Sequence, residues 1–200
     1  CGTVCAMEKS TADLYDEHGE ALASVSLQFQ DLGGRSRFSG PVRTIRCHED
    51  NGLVKSTLNS PGNGSVLVVD GGGSLNTALM GDMIAEAAVA NGWAGVVIHG
   101  PIRDRAAVAK LPLGVKALGS NPRKSAKDSV GEVDVPVEFG GVKFRPGAVL
   151  YADEDGILVE RFMTFPVDVR NVREILTGHA KVVGRAVISR RDHDRFRAGH

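Results

Sequence analysis

Residues 81–104 read GDMIAEAAVANGWAGVVIHGPIRD, and the rest of the chain is interpreted as the support of this stretch. A loop ends at Gly81, and the apolar spacing that follows predicts an amphipathic helix as far as Ala90. The apolar run over residues 94–98 predicts a short buried strand. A loop, a helix and a strand are therefore expected in succession.

Two kinds of polar group are expected to come together in this stretch. The first turn of a helix has backbone N–H groups without partners, and these groups and the helix dipole attract anions. A turn predicted at residues 99–101 then places Arg103 and Asp104 side by side. Arginine offers a planar fork to a carboxylate or keto oxygen, and aspartate is a hard oxygen ligand for a divalent cation. Together these groups suit a small oxo-acid and a metal ion.

The composition fits one domain, or one domain with a tail. The chain has 200 residues, 42% of them hydrophobic, which is enough for a packed core. The 24 basic side chains balance the 24 acidic ones, so no overall field favours nucleic acid. No apolar run approaches the roughly 20 residues of a membrane span, and no basic-then-apolar segment suggests a leader.

The cysteines indicate a reducing compartment. Cys1, Cys5 and Cys47 are odd in number and form no CxxC pair, which argues against a disulfide framework. A cytoplasmic protein is therefore expected, with Cys47 as a small core residue.

Outside the central stretch, short apolar runs alternate with turns and short helices. A first helix is predicted with Thr11 as its cap and Gly19 as its stop, and residues 39–41 are predicted to turn. Further helices are predicted over residues 51–58 and 105–110. Strands are predicted over residues 24–30, 42–47, 65–70, 113–118, 133–138, 142–144, 149–151 and 157–159. This mixture predicts a layered α/β domain with parallel and antiparallel strands.

The sequence resembles the RraA-like family, named for "regulator of ribonuclease activity A". The resemblance is carried by residues 81–104 and by residues 114–144, which read GVKALGSNPRKSAKDSVGEVDVPVEFGGVKF. It extends over roughly residues 11–159. The family contains metal-dependent 4-hydroxy-4-methyl-2-oxoglutarate aldolases, and members were once labelled as menaquinone-pathway methyltransferases. The resemblance implies a swivelling β/β/α fold and a homotrimer, or a hexamer of two trimers, with sites in clefts between subunits.

The resemblance also implies an activity and a set of site residues. Active members cleave 4-hydroxy-4-methyl-2-oxoglutarate to two pyruvates and decarboxylate oxaloacetate, with Mg²⁺ or Mn²⁺. Arg103 is expected to hold the pyruvyl portion, and Asp104 to bind the metal directly or through a water. One loop is expected to hold the substrate carboxylate through main-chain N–H groups, and it consists of Gly81, Asp82, Met83 and Ile84.

One position departs from the family pattern. The aldolases often carry an acid three residues after the Arg-Asp pair, and here that position is Ala107. A group that helps to place the metal or a water is therefore missing, and decarboxylation should be retained better than aldol cleavage.

A second function, from a different class, is a non-catalytic regulator that binds and inhibits an RNase E-type endonuclease of RNA degradation. The two functions are compatible, because a trimer presents its clefts and its outer surface to different ligands. Without the resemblance, Arg103-Asp104 alone also fits a surface ion pair or a helix cap. Gly81-Asp82 alone fits an ordinary helix entry.

Other polar motifs are interpreted structurally. Residues 71–76, GGGSLN, fail the G-x-G-x-x-G pattern and lack a Walker lysine, so close packing near the cleft is preferred to nucleotide binding. His99 is interpreted as a packed or hydrogen-bonded histidine. The basic residues at 123–127 predict a solvated loop or an intersubunit contact. The acids at 153–155 lack the ligand spacing of a calcium loop. The basic residues at 190–197 have no aromatic platform for nucleic acid.

The chain is expected to divide into three segments. The first methionine of the sequence is Met7, and residues 1–10 are expected to be a disordered or cloning-derived extension. Residues 11–160 are expected to form the RraA-like catalytic domain. Residues 161–200 form a C-terminal extension without an assigned role, with a helix expected over residues 169–176 and a frayed end.

Overall fold

The computed structural model describes residues 9–161, 180–183 and 186–189. The chain separates into two compact units, Cys1–Arg161 and Phe162–His200. The helix expected over residues 169–176, the frayed C-terminus and the basic residues at 190–197 lie outside the described residues. Among the described residues, no helix is both long and apolar enough to cross a membrane.

The elements of the first unit alternate between short helices and strands. The helices are α1 (Thr11–His18), α2 (Gly52–Leu58), α3 (Asp82–Ala90) and α4 (Arg105–Val108), with a 3₁₀ turn at Gly19–Ala21. The strands are β1 (Leu22–Ser24), β2 (Gln30–Asp31), β3 (Phe38–Arg46), β4 (Val66–Asp70), β5 (Gly95–Ile102), β6 (Gly114–Ser120), β7 (Glu132–Val133), β8 (Val137–Phe139), β9 (Val142–Phe144), β10 (Val149–Ala152) and β11 (Ile157–Glu160). In the second unit, β12 (Ala180–Val183) and β13 (Ala186–Ser189) pair as an antiparallel hairpin.

One large mixed sheet organises the first unit. Its strand order is β1-β11-β10-β3-β4-β5-β6-β2, with β7 on the free part of β3. Strands β3, β4, β5 and β6 run parallel, and the outer strands pair antiparallel. The carboxyl ends of the four parallel strands therefore meet at one edge of the sheet.

The sheet is covered on both faces. Leu67 and Val69 of β4 belong to a core shared with α2, α3 and α4, whereas Val66 and Val68 belong to a core shared with the β8–β9 hairpin. Burial on both faces explains why the predicted strand at 65–70 is a continuous apolar run. The prediction of a layered α/β domain with a mixed sheet is confirmed.

Two predicted turns are wrong, because both segments continue a strand. Residues 39–41 lie in β3, where Pro41 is opposite Val149 of the antiparallel strand β10. Residues 99–101 lie in β5, whose pairing with β6 shifts register between Ile98 and Pro101. The shift is a bulge-like irregularity, which accommodates the proline.

Three smaller predictions also need correction. The predicted strand over residues 24–30 is strand only at Ser24, where β1 ends, and at Gln30, where β2 begins. Between them the main chain changes partner, because the N–H of Val25 donates to Ile157 whereas that of the next residue donates to Gly140. The predicted strand at 133–138 divides into β7 and β8 around residues 134–136. The cap of α1 is Ser10, whose hydroxyl accepts the N–H of Asp13 at 3.1 Å.

Candidate active site

The candidate site lies where β5 ends and α3 begins. Residues 71–80 connect β4 to α3 and run beside the last residues of β5. Leu79 donates its N–H to Pro101 at 3.0 Å, and Arg103 donates its N–H to the carbonyl of Met80 at 2.9 Å. These main-chain bonds place Gly81, at the end of the loop, next to the residues that follow β5.

Gly81 is in close contact with both polar side chains of the predicted site. A Cβ atom built on Gly81 would lie 2.7 Å from Asp104 Oδ2 and 3.1 Å from Arg103 Nε. Both distances are shorter than an ordinary van der Waals contact, so the guanidinium and the carboxylate fill the space that a side chain would occupy at this position. The structure therefore brings Gly81, Arg103 and Asp104 together.

Arg103 and Asp104 form an ion pair at the surface of this edge. Arg103 Nε lies 3.2 Å from Asp104 Oδ2, and the side chains keep 31% and 37% of their exposure. Asp104 has a φ of 55°, in the left-handed region that residues other than glycine rarely adopt. Its carboxylate makes no capping bond to α4. A strained, half-exposed acid next to an arginine can accept a further cationic or donor group from solvent.

The first turn of α3 supplies main-chain donors beside this pair. The helix begins at Asp82 with Gly81 as its cap, and its first internal bond runs from Ala85 to Gly81. Among the described residues, the N–H groups of Asp82 and Ile84 have no protein acceptor. The N–H of Met83 donates to Asp82 Oδ1 at 2.7 Å, so one of the four predicted donors is already occupied by a side chain.

The side chains of the first turn point in different directions. Ile84 is buried in the core under α3, which anchors the turn. The side chain of Met83 is 77% exposed, more than the other large hydrophobic residues of the described chain. Only main-chain atoms of Ile84 are therefore available to a ligand, whereas Met83 also presents an apolar side chain at the rim.

The family model described as RraA-like, Aldolase/RraA, matches residues 11–159. This match covers well over half of the chain and includes each element that forms the edge just described. The chain belongs to the RraA-like family.

Solved structures agree with this assignment. The chain is 50% identical to the RNA-processing inhibitor RraA from Thermus thermophilus, with a TM-score of 0.74 over 77% of this chain and 93% of that one. It is 49% identical to an S-adenosylmethionine:2-dimethylmenaquinone methyltransferase from Geobacillus kaustophilus HTA426, with the same TM-score over 76% and 94%. It is 26% identical to Streptomyces coelicolor RraAS2, an unusual member of the RNase ES inhibitor RraA family, with a TM-score of 0.61 over 94% and 89%.

In this RraA-like chain, the glycines after β4 serve close packing. Gly73 donates its N–H to the carbonyl of His99 at 3.1 Å, and a Cβ at Gly73 would lie 3.0 Å from His99 Nε2. Its φ of 71° is also left-handed, which favours glycine. This arrangement agrees with the interpretation of the glycines as packing residues.

His99 is held by a partner that the sequence did not indicate. Its Nδ1 lies 3.1 Å from Asp70 Oδ1, each side chain keeps 18% of its exposure, and its ring stacks on Phe139 at 4.7 Å between centroids. The hydrogen bond from His99 lowers the pKa of the Asp70 carboxyl, although burial opposes this. The geometry agrees with a packed, hydrogen-bonded histidine.

The other polar motifs also have structural partners. The basic side chains at 123–127 are exposed, while Ser125 between them is buried and donates to the carbonyl of Ala78 at 2.6 Å. Asp153 is buried, and its carboxylate accepts the N–H and the hydroxyl of Thr11, each at 2.6 Å. The acidic turn therefore anchors α1.

Glu49 and Asp50 hold the loops around the site, and no pattern in the sequence predicts this role. Asp50 is buried and accepts main-chain N–H groups from residues 52, 128 and 129. Glu49 binds two side chains of the loop that precedes Gly81. Their partners are 2 to 79 residues away along the chain, so local patterns carry little signal for them.

Proposed function

We propose that this RraA-like protein is a divalent-metal-dependent lyase that acts on pyruvyl-type oxo-acids. The proposed reactions are decarboxylation of oxaloacetate and cleavage of 4-hydroxy-4-methyl-2-oxoglutarate to pyruvate. The observation that carries the proposal is the close contact of Gly81 with Arg103 and Asp104. This contact puts main-chain donors, a guanidinium and a carboxylate within reach of one small substrate.

The substrate anion is assigned to the first turn of α3 and to Arg103. The N–H groups of Asp82 and Ile84, which have no acceptor within the described part of the chain, lie in the first turn of α3, where the helix dipole also favours negative charge. The guanidinium of Arg103 can bind the carboxylate and the keto oxygen of a pyruvyl group through two parallel hydrogen bonds. The remaining exposure of this side chain leaves room for such a ligand.

The cation is assigned to Asp104. Its side chain keeps 37% of its exposure, and the described part of the chain contains no cluster of three His, Cys, Asp or Glu side chains. One exposed carboxylate, with water and substrate oxygens as the other ligands, fits Mg²⁺ or Mn²⁺ better than a metal that needs several protein ligands. A bound cation would stabilise, as a Lewis acid, the negative charge that both reactions place on the pyruvyl oxygen.

Arg103 supplies the main stabilisation that comes from the protein itself. Decarboxylation and retro-aldol cleavage both leave an enolate of pyruvate, whose charge develops at the former keto oxygen. A donor placed at that oxygen in advance is worth about 3–4 kcal/mol. The ion pair with Asp104 and the contact with Gly81 fix the guanidinium before the substrate arrives.

Decarboxylation is the reaction that the residues support better. Aldol cleavage also needs a base for the substrate hydroxyl, whereas decarboxylation does not. Ala107 is exposed on α4, and its N–H donates to the carbonyl of Asp104, so this position could carry an acid next to the cation but does not. Aldol cleavage far faster than oxaloacetate decarboxylation, measured with a panel of divalent metals, would refute this role of Ala107.

Inhibition of an RNA-degrading endonuclease is the second candidate function. It is favoured by the 50% identity to an RNA-processing inhibitor and by the similarity to an RNase ES inhibitor. A stable complex with an RNase E-type endonuclease that lowers its cleavage rate, together with no metal-dependent turnover, would favour the regulator over the lyase. The formal net charge of the chain is zero, so binding to the endonuclease itself is favoured over binding to RNA.

The proposed assembly is a cytoplasmic homotrimer, or a hexamer of two trimers. Two exposed apolar residues flank the candidate site, Leu75 before α3 and Met83 in its first turn. A neighbouring subunit would cover them and close the cleft. Light scattering after size-exclusion chromatography would test this assembly, and a monomeric mass would exclude it.

A further inference from the structure

Glu49 stands out because it combines strain with contacts to two loops. It follows β3 and has a φ of 52°, in the left-handed region. A residue other than glycine keeps such a conformation only when its surroundings hold it there. Its carbonyl accepts the N–H of Ala126 at 2.9 Å, and its carboxylate points to the loop that leads to the candidate site.

Both side-chain bonds of Glu49 end on one oxygen. The hydroxyl of Ser74 donates to Glu49 Oε1 at 2.7 Å, and the amide of Asn76 donates to the same atom at 2.8 Å. These bonds lower the pKa of the Glu49 carboxyl, so the group is ionised at neutral pH. Hydrogen bonds to an ionised acceptor are stronger than those between neutral groups.

The loop of residues 74–80 determines where the candidate site has its main-chain donors. It leads into Gly81, where a Cβ atom would lie 3.1 Å from Arg103 Nε, so the main chain there packs closely against the guanidinium. Asn121 supports the same first part of the loop by donating to the carbonyl of Leu75 at 2.8 Å. Glu49 holds the start of the loop, at residues 74 and 76.

We propose that Glu49 is a positioning residue of the oxo-acid site: it holds residues 74–80 so that the N–H groups at the start of α3 face the guanidinium of Arg103. This inference rests on the proposed function. Glu49 contacts neither Arg103 nor Asp104 through any described hydrogen bond, so it acts through the loop. Loss of Glu49 should therefore weaken the binding of the substrate carboxylate more than it slows the chemical step.

The two donors share one oxygen, and this makes a conservative rescue possible. In Glu49→Gln, the amide oxygen can still accept from Ser74 and Asn76, whereas Glu49→Ala removes the acceptor. Glu138→Ala is the matched control, because the side chain of Glu138 is exposed on β8 and makes no hydrogen bond or ion pair among the described residues. Unfolding temperatures of the three variants show whether a change is confined to the site.

The test measures KM and kcat for oxaloacetate with Mg²⁺, and the Kd of oxalate, a planar analogue of the pyruvate enolate, by calorimetry. Glu49→Ala is expected to raise KM and Kd roughly tenfold, since misplacement of binding groups by a fraction of an ångström has effects of this order. Its kcat should change by less than about threefold. Glu49→Gln is expected to stay within about threefold of the wild type in all three constants.

Three results would overturn the proposal. The first is that KM and Kd of Glu49→Ala equal those of Glu138→Ala, and the second is that Glu49→Gln is as impaired in these constants as Glu49→Ala. The third is that Glu49→Ala loses kcat together with a lowered unfolding temperature, as expected for general destabilisation. A wild-type protein with neither turnover nor oxalate binding would instead overturn the proposed function. In that case amide hydrogen exchange still decides whether Glu49 holds the loop. Residues 76–85 should exchange faster in Glu49→Ala than in Glu49→Gln, and equal rates would contradict the inference.

Discussion

Replacement of Gly81 by alanine tests the geometry of the candidate site with a single methyl group. The backbone of Gly81 is extended, with a φ of −132°, so alanine is allowed there. The new Cβ would lie 2.7 Å from Asp104 Oδ2, whereas ordinary contact begins at 3.4 Å. The carboxylate must therefore move by at least about 0.7 Å, and the guanidinium by a few tenths of an ångström.

This displacement should damage activity without unfolding the protein. The atoms that must move belong to partly exposed side chains, which can rotate toward solvent. Misplacement of catalytic groups by about 1 Å can lower a rate on the order of 10²-fold, so we expect kcat/KM for oxaloacetate to fall by about that factor. Exchange of glycine for alanine at the cap of α3 should cost about 0.5–1 kcal/mol, which lowers the unfolding temperature by only a few degrees.

Gly119→Ala provides the matched control. A Cβ at Gly119 would meet its nearest atom, Gln30 Nε2, at 3.8 Å, which is ordinary contact. The assay follows oxaloacetate loss with saturating Mg²⁺ for both variants, and thermal unfolding is recorded beside it. Full activity of Gly81→Ala would show that the contact between Gly81, Arg103 and Asp104 has no part in catalysis.

Three further predictions concern other residues. Ala107→Glu adds an acid one turn after Asp104, and it should raise the ratio of aldol cleavage to decarboxylation at least several-fold; an unchanged ratio of the two rates would contradict this. Burial disfavours ionisation of Asp153, but hydrogen bonds from Thr11, Asp155 and Gly156 together outweigh it and lower its pKa. The stabilisation from the ionised carboxylate is therefore complete above the unfolded pKa near 4 and is lost as pH falls through the folded value. The free energy of unfolding of Asp153→Ala, measured by thermal unfolding, should therefore be about 2–3 kcal/mol lower than that of the wild type at pH 7. It should also depend less on pH below 4. Parallel curves of unfolding free energy against pH for variant and wild type would refute this role of the Asp153 carboxylate. Burial raises the pKa of the Cys47 thiol to about 12, so peptide mapping after iodoacetamide treatment at pH 8 should find Cys47 unmodified in the native protein and modified after denaturation.

The parallel core was predictable because its signal is local. Residues 66–69 are buried on both faces, and such strands appear in sequence as unbroken apolar runs. The helix α3 was equally clear, since its apolar spacing ends at Asn91-Gly92. Each of these elements needs information from fewer than a dozen neighbouring residues.

The errors arose where distant partners override a local preference. Residues 99–101 contain a Gly-Pro pair that favours a turn, yet their carbonyls accept N–H groups from the loop of residues 71–80 and keep the strand extended. The proximity of Gly81 to Arg103 was predicted from residues 81–104, but the bridge between Met80 and Ile102 that produces it was not predicted. Glu49 escaped notice because its partners lie 25 and 27 residues further along the chain.

The roles of Arg103 and Asp104 remain predictions that one assay tests most directly. Purified protein is supplied with oxaloacetate and Mg²⁺, with and without EDTA, and the measurement is repeated for Arg103→Ala and Asp104→Ala. We expect turnover that EDTA abolishes and that each substitution lowers by on the order of 10²-fold or more. Turnover that persists in EDTA, or that survives both substitutions, would contradict a metal-dependent lyase at this edge of the sheet.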